Sequence, residues 1–92
     1  MSRREVSDEQ IKADLMNRLL RKHCWGAKNF PLITLVNWIS KQIKNNGKRI
    51  QRLVRQLVNE GYLLLHKKGA TASLNPTRSK EIIEYIKKIL EI

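Results

Sequence analysis

Six basic side chains lie within the fifteen residues 41–55, and no acidic side chain lies among them. Over the longer stretch between Asp14 and Glu81, Glu60 is the one acid, against fourteen Lys or Arg. A surface with so little negative charge repels itself unless an anion covers it, which indicates the binding of a polyanion. Nucleic acid is the natural polyanion, because the counterions that it releases drive binding. The six residues are Lys41, Lys44, Lys48, Arg49, Arg52 and Arg55.

Apolar residues recur from Ile50 to Val58 at the spacing of a helix, which predicts a helix over about 46–60. One side of this helix would face a core, and the opposite side would be strongly basic. The outward side and its flanks then hold seven polar or basic side chains. They are Lys48, Arg52, Arg55 and Asn59, flanked by Arg49, Gln51 and Gln56.

Side chains on that outward side are of the types that read DNA. Arg binds guanine bidentately in the major groove, Gln and Asn pair with adenine, and Lys reaches phosphate. The N-terminal half of such a helix usually enters the groove deepest, so we expect a backbone contact from Arg55 and base or near-base contacts from the residues before it. The alternative is a solvated cationic face without a ligand. The residues expected at or near bases are Asn46, Lys48, Arg49, Gln51 and Arg52.

The chain before this helix predicts two further helices. Ser7 and Gln10 fit a capping box that opens a first helix over about 8–24. Gly26 would end it, because Gly is the usual residue after a helix C-terminus.

A connector over 26–30 leads to the second predicted helix. Pro31 suits the first helical position, and the apolar spacing that follows predicts a helix over about 31–43. The run Asn45-Asn46-Gly47 breaks it and also begins the next helix, because Asn is a favourable N-cap.

After Gly61 the spacing changes to that of strands. Residues 62–74 predict a β-hairpin with its turn at Lys68-Gly69. Lys67 and Lys68 would place two charges at the end of a projecting loop, where they would lie along a DNA backbone or reach into the minor groove. The alternative is an ordinary exposed turn, since Lys and Gly are frequent in turns.

Asn75-Pro76 ends the hairpin and begins a last predicted helix over about 77–91. Its apolar surface is broad, so part would pack on the core and the remainder could pair two copies across a two-fold axis. The alternative is that all of it belongs to the core. The apolar residues are Ile82, Ile83, Ile86, Ile89 and Leu90.

His23 and Cys24 are the residues that a catalytic or metal site would use. A metal site needs three or four ligands at suitable spacing, and the chain has two His and one Cys. We therefore expect no metal and no cofactor, with Cys24 as a small buried residue. No carboxylate pair or phosphate-binding Gly loop occurs, so the sequence predicts a protein that is not an enzyme.

Ninety-two residues with a net charge of +11 fit one basic domain. We expect a flexible N-terminus over 1–7 and a single domain over 8–91. No apolar run approaches the roughly 20 residues of a membrane span, and no apolar signal segment opens the chain. A single cysteine suits a reducing compartment, so a cytoplasmic location is expected.

The stretch 47–63, GKRIQRLVRQLVNEGYL, followed by the hairpin and SLNP at 73–76, resembles the winged helix-turn-helix superfamily. The resemblance is closest to small archaeal winged-helix proteins of unassigned role. It implies an α+β fold with a three-helix core, a β-hairpin wing and a C-terminal helix. Members usually bind double-stranded DNA, often as dimers, and many regulate transcription. The implied site residues are Lys48, Arg49, Gln51, Arg52, Arg55, Lys67 and Lys68.

The sequence therefore predicts a double-stranded DNA-binding protein that regulates transcription and forms a homodimer through its C-terminal helix. Its third helix would enter the major groove, and its basic wing would lie on the backbone or in the minor groove. Two alternatives stay open. One is an RNA-binding or ribosome-associated winged helix. The other is a protein-interaction module in which Trp38 and the last helix carry the binding.

Overall fold

The computed structural model describes residues 7–41 and 47–92, and it is an α+β structure. Within these residues, four α-helices pack together with a small antiparallel sheet of three strands. Asn46 and residues 1–6 lie outside the described residues, and with them one expected base contact and nearly all of the expected flexible N-terminus. The elements are α1 (Asp8–Arg21), β1 (Phe30–Pro31), α2 (Leu32–Ser40), α3 (Gly47–Asn59), β2 (Leu63–His66), β3 (Thr71–Leu74) and α4 (Ser79–Leu90).

The N-terminus of α1 carries the predicted capping box, in which Ser7 and Gln10 each bind the other's backbone N–H. The C-terminus of α1 differs from the prediction. His23 adopts a left-handed conformation at φ 56°, and the N–H of Cys24 donates to the carbonyl of Leu19 at 3.0 Å. These contacts end the helix before Gly26, so the prediction that Gly26 ends it was wrong.

Gly61 ends α3 as predicted, and it does so through the same cap geometry. At φ 85° its N–H donates to the carbonyl of Val58, and the N–H of Tyr62 donates to that of Leu57, both at 3.0 Å. This sharp exit directs the chain straight into β2.

The predicted hairpin is confirmed, with Leu63 opposite Leu74 and His66 opposite Thr71. The third strand was not predicted. Phe30 and Pro31 pair with the edge of β3 that β2 leaves open. The sequence predicted the end of a connector at residue 30 and the first helical position at Pro31, so the prediction for Pro31 was wrong, and α2 begins at Leu32. A two-residue strand is too short to show any alternation of apolar and polar residues, so the sequence carried no signal for it.

A buried hydroxyl fastens β3 to the connector after α1. Ser73 is fully buried, and its Oγ donates to the carbonyl of Gly26 at 2.7 Å. Because that bond uses the only hydroxyl proton, the 2.8 Å contact with His66 requires His66 Nε2–H to donate to Ser73. The hairpin is thereby joined to the connector between α1 and β1.

The core lies where the helices meet the sheet, and it includes Leu15, Leu35, Leu53, Leu74 and Ile82 with essentially no exposure. Cys24 is buried beside them, as expected.

The last helix contributes only part of its apolar stripe to this core. Ile82 and Ile86 are buried, whereas Ile83, Ile89 and Leu90 are half-buried. Two of the five apolar residues are thus fully buried in the core. The pairing of two copies through this helix stays a prediction.

Tyr85 couples α4 to the start of α1, because its hydroxyl donates to the carbonyl of Glu9 at 3.4 Å. Burial raises the pKa of Tyr85 above its ordinary value of 10.0, and the nearby charges of Glu9 and Glu60 raise it further. The folded chain therefore holds this proton more tightly than the unfolded chain does. Tyr85 contributes stability that is present below pH 10 and is lost as the pH rises through its folded pKa.

Tyr85→Phe should remove this alkaline loss. In urea denaturation, the free energy of unfolding of the wild-type chain should fall relative to that of the variant as the pH is raised past 10. Comparing the two proteins at each pH cancels the titration of the lysines, which they share. A difference that stays constant across this range would contradict the assignment.

Candidate nucleic-acid interface

The outward side of α3 is open to solvent, as the sequence predicts. Lys48, Gln51, Arg52 and Arg55 are exposed, while the apolar stripe of the same helix is buried. Arg49 is the exception among the expected site residues of α3, because its side chain is only 21% exposed.

Arg49 is engaged by a carboxylate from the first turn of α1. Asp8 Oδ1 accepts hydrogen bonds from Arg49 Nε at 2.9 Å and from Arg49 Nη2 at 2.7 Å. Two bonds from one guanidinium fix its orientation and make this a strong ion pair. Arg49 therefore links α1 to α3, and its guanidinium faces Asp8.

Arg52 lies one turn further along and shares the same carboxylate more loosely. Its Nη2 is 3.6 Å from Asp8 Oδ2, and its side chain is 60% exposed. A contact of this length at the surface is weak, so the guanidinium can exchange Asp8 for an anionic ligand at little cost. Nothing in the sequence indicated that Asp8 of α1 would contact these arginines, because 41 positions separate it from Arg49.

The acid at the end of α3 is also used internally. Lys12 Nζ on α1 donates to both carboxylate oxygens of Glu60, each at 3.3 Å, and Glu60 directly follows α3. This ion pair is a second link between α1 and the end of α3. The charge of Glu60 is thus directed at a lysine and not at the outward side of α3.

The tip of the hairpin has an unusual backbone. Lys67, Lys68 and Gly69 all have positive φ, at 52°, 58° and 90°. Only Gly adopts this region without penalty, and each L-residue there costs roughly 1–2 kcal/mol. Both lysines are exposed, so the strained turn carries two charges into solvent.

A groove of about 500 Å³ separates α3 from the hairpin. Gln51 and Arg55 lie on its α3 wall, and Gly69 and Ala70 lie on its hairpin wall. Both elements therefore line one groove, and Lys67 and Lys68 immediately precede Gly69 in its hairpin wall. The apolar side chains that line it are Leu32, Ile33, Val36, Val54, Val58 and Leu65.

Two basic residues near the end of α1 pack on aromatic rings. The Arg18 guanidinium lies 5.8 Å from the ring of Trp38, and Lys22 Nζ lies 5.7 Å from the same ring. Trp38 in turn packs against Phe30 with ring centroids 5.4 Å apart. These cations are covering aromatic rings, which is a structural role.

Within residues 7–41 and 47–92, no three His, Cys, Asp or Glu side chains are grouped so that they could hold a metal ion. His23 is exposed at the end of α1, whereas the Cys24 thiol is buried. The helices in this same part of the chain are all too short or too polar to cross a bilayer.

Comparison of this chain with family models, curated proteins and solved structures returned no match.

Proposed function

We propose that this chain is a winged-helix protein that binds double-stranded DNA and regulates transcription. In this proposal α3 is the recognition helix in the major groove, and the hairpin is the wing. The order of helices, the short strand β1 before α2 and the hairpin directly after α3 all support the assignment.

One observation carries the proposal. Gln51 and Arg55 on the exposed side of α3 line the same groove as Gly69, which directly follows Lys67 and Lys68 in the hairpin, and this supports contact of one duplex with both elements. In such an arrangement the helix in the major groove reads the bases, and the basic loop on the adjacent backbone positions the protein.

The residues divide into roles by their placement. Lys48, Gln51 and Arg52 are exposed on the first half of α3 and would lie nearest the bases. A base contact from Asn46 stays a prediction from the sequence alone, since Asn46 lies outside the described residues. Arg55, one turn beyond Arg52, would contact the DNA backbone. Lys67 and Lys68 would contact phosphate, because they extend from the tip as mobile point charges.

Arg49 takes a positioning role in this proposal. Its two bonds to Asp8 hold the N-terminal half of α3 against α1, which fixes the angle at which the helix would enter the groove. A rigid approach of this kind lets neighbouring side chains read bases with little loss of conformational entropy.

Competition binding tests the proposal. The chain is bound to a labelled duplex of mixed sequence, and unlabelled duplex DNA, hairpin RNA and single-stranded DNA are added as competitors. Duplex DNA should compete best, and affinity should fall steeply between about 50 and 200 mM salt. Stronger competition by hairpin RNA would favour the RNA-binding alternative, and no binding at all would reject a nucleic-acid function.

Asp8→Asn should increase the affinity for duplex DNA. The substitution removes the negative charge that competes with phosphate for Arg52, while the amide oxygen still accepts from Arg49 and keeps α3 in position, so we expect a gain of about 0.5–1 kcal/mol at low salt. Unfolding should become easier by a similar amount, because α1 loses a favourable first-turn charge and the ionic part of its pair with Arg49. Glu84→Gln on α4 is the matched control, since it changes the net charge equally at an exposed position outside α1 and α3. Equal effects of both variants would mean that only the net charge matters.

Lys68→Gly should stabilise the fold and weaken DNA binding at the same time. Gly relieves the left-handed strain, which we expect to raise the free energy of unfolding by about 0.5–1 kcal/mol. The lost charge should weaken binding to all sequences alike and reduce the salt slope by about 1. Lys68→Ala separates the two effects, because it removes the charge and keeps the strain. The prediction fails if Lys68→Gly binds as tightly as the wild-type chain.

A further inference from the structure

The groove between α3 and the hairpin exposes more apolar surface than the fold requires. Ile33 on α2 is 65% exposed and Leu65 on β2 is 43% exposed. Within the described residues, only Ile92 joins them as an exposed large hydrophobic side chain. Two of these three residues line one groove, and clustered exposed apolar residues usually mark a site of interaction.

DNA does not explain this apolar wall. A duplex presents charged phosphates to the region beside a recognition helix, and a phosphate against Ile33 and Leu65 would lose water without gaining a hydrogen bond. The exposed side of α3 suits DNA, but the floor of the groove needs an apolar ligand.

The charges around the groove indicate what should flank that ligand. Arg55 lies on one wall, and Lys67 and Lys68 immediately precede Gly69 on the other. None of the described residues that line the groove is acidic. A ligand that is apolar on one side and carries carboxylates beside it would therefore be complementary to both walls.

A second copy of this chain is a poor candidate for the ligand. With a net charge of +11, two copies would bring like charges together at the rim of the groove.

The groove has a volume of about 500 Å³, which is large enough for two or three large side chains from one face of a helix. Helices commonly dock in this way, with anchors at positions i, i+3 or i+4, and i+7.

We propose that the groove between α3 and the hairpin binds an acidic amphipathic helix of another protein. Leucine-like anchors of that helix cover Ile33 and Leu65, and its flanking carboxylates face Arg55 and the tip lysines. This binding does not depend on the DNA-binding proposal, because the groove floor is apolar whether or not α3 binds a duplex.

Designed peptides test the proposal with the full chain and without DNA. The first peptide is helical, with Leu at the anchor positions and Glu at the flanking positions. The second replaces each Glu by Lys, and the third keeps the composition of the first in scrambled order. The first peptide should bind at least about tenfold more tightly than either of the other two. When the first peptide is added, the amide chemical shifts of the chain should change mainly for residues of α2, α3 and the hairpin around the groove.

Three variants show whether the groove itself is responsible. Ile33→Ser and Leu65→Ser should each weaken binding of the Glu peptide by about tenfold, because they remove exposed anchor contacts that the fold does not need. Ile92→Ser is the matched control, since Ile92 is 69% exposed and does not line the groove. It should leave the affinity unchanged.

Several results would overturn the proposal. Equal binding of the Glu and Lys peptides, or NMR shifts outside the groove, would show that the site is not selective for an acidic helix. Self-association of the wild-type chain that Ile33→Ser abolishes would show that a second copy occupies the groove. None of these results bears on duplex binding, so a failure here is distinguishable from a failure of the proposed function.

Discussion

A chain carrying Arg52→Ala and Arg55→Ala should bind duplex DNA about 2–4 kcal/mol more weakly than the wild-type chain. An arginine that reads a base is worth about 1–3 kcal/mol, and a backbone contact is worth somewhat less. Both side chains are exposed on α3, so the fold should be nearly unaffected. Titration of labelled duplexes, with circular dichroism to confirm folding, measures the loss.

The two arginines should also differ in kind. Arg52→Ala alone should relax the preference among sequences, whereas Arg55→Ala should weaken all sequences similarly and reduce the salt slope by about 1. The matched control is the pair Lys87→Ala and Lys88→Ala, which removes the same charge from the exposed end of α4. If that control costs as much affinity, the binding is a general effect of charge and α3 is not the interface.

Leu53→Ala should destabilise the fold by about 2–5 kcal/mol, because Leu53 is completely buried under the basic side of α3. A domain of this size has about 5–15 kcal/mol of stability in total, so the variant would be partly unfolded at moderate urea concentrations. Urea denaturation followed by circular dichroism gives the difference in free energy of unfolding.

Leu65→Ala provides the control for this substitution, since it makes the same chemical change at a leucine in the groove wall. With 43% of Leu65 exposed, we expect a cost of about 0.5 kcal/mol or less. Equal costs at the two positions would mean that Leu65 supports the core, which would weaken the argument that it is exposed for a ligand.

Helix and hairpin positions were predictable from the sequence because their signals are local. The apolar stripe from Ile50 to Val58 predicted α3, and the change of spacing after Gly61 predicted the hairpin. The two helix caps show the limit of this reasoning. Gly61 is the residue type that a left-handed cap favours, whereas His23 occupies the same geometry with a side chain that gives no such signal.

The candidate interface was predictable only in part, for the same physical reason. Exposure of Lys48, Gln51, Arg52 and Arg55 follows from helical periodicity, and the structure agrees. The pair between Arg49 and Asp8 joins residues 41 positions apart, and no spacing rule relates them. The exposed apolar wall at Ile33 and Leu65 likewise arises only when α2 and the hairpin come together.

Arg55 lies at the boundary between the outward side of α3 and the apolar groove. If the chain binds both a duplex and an acidic helix, one guanidinium faces a phosphate in the first complex and a carboxylate in the second. Each ligand would then lower the affinity for the other by the same factor, as thermodynamic linkage requires. A rising concentration of the acidic helix would then displace the duplex through competition for Arg55.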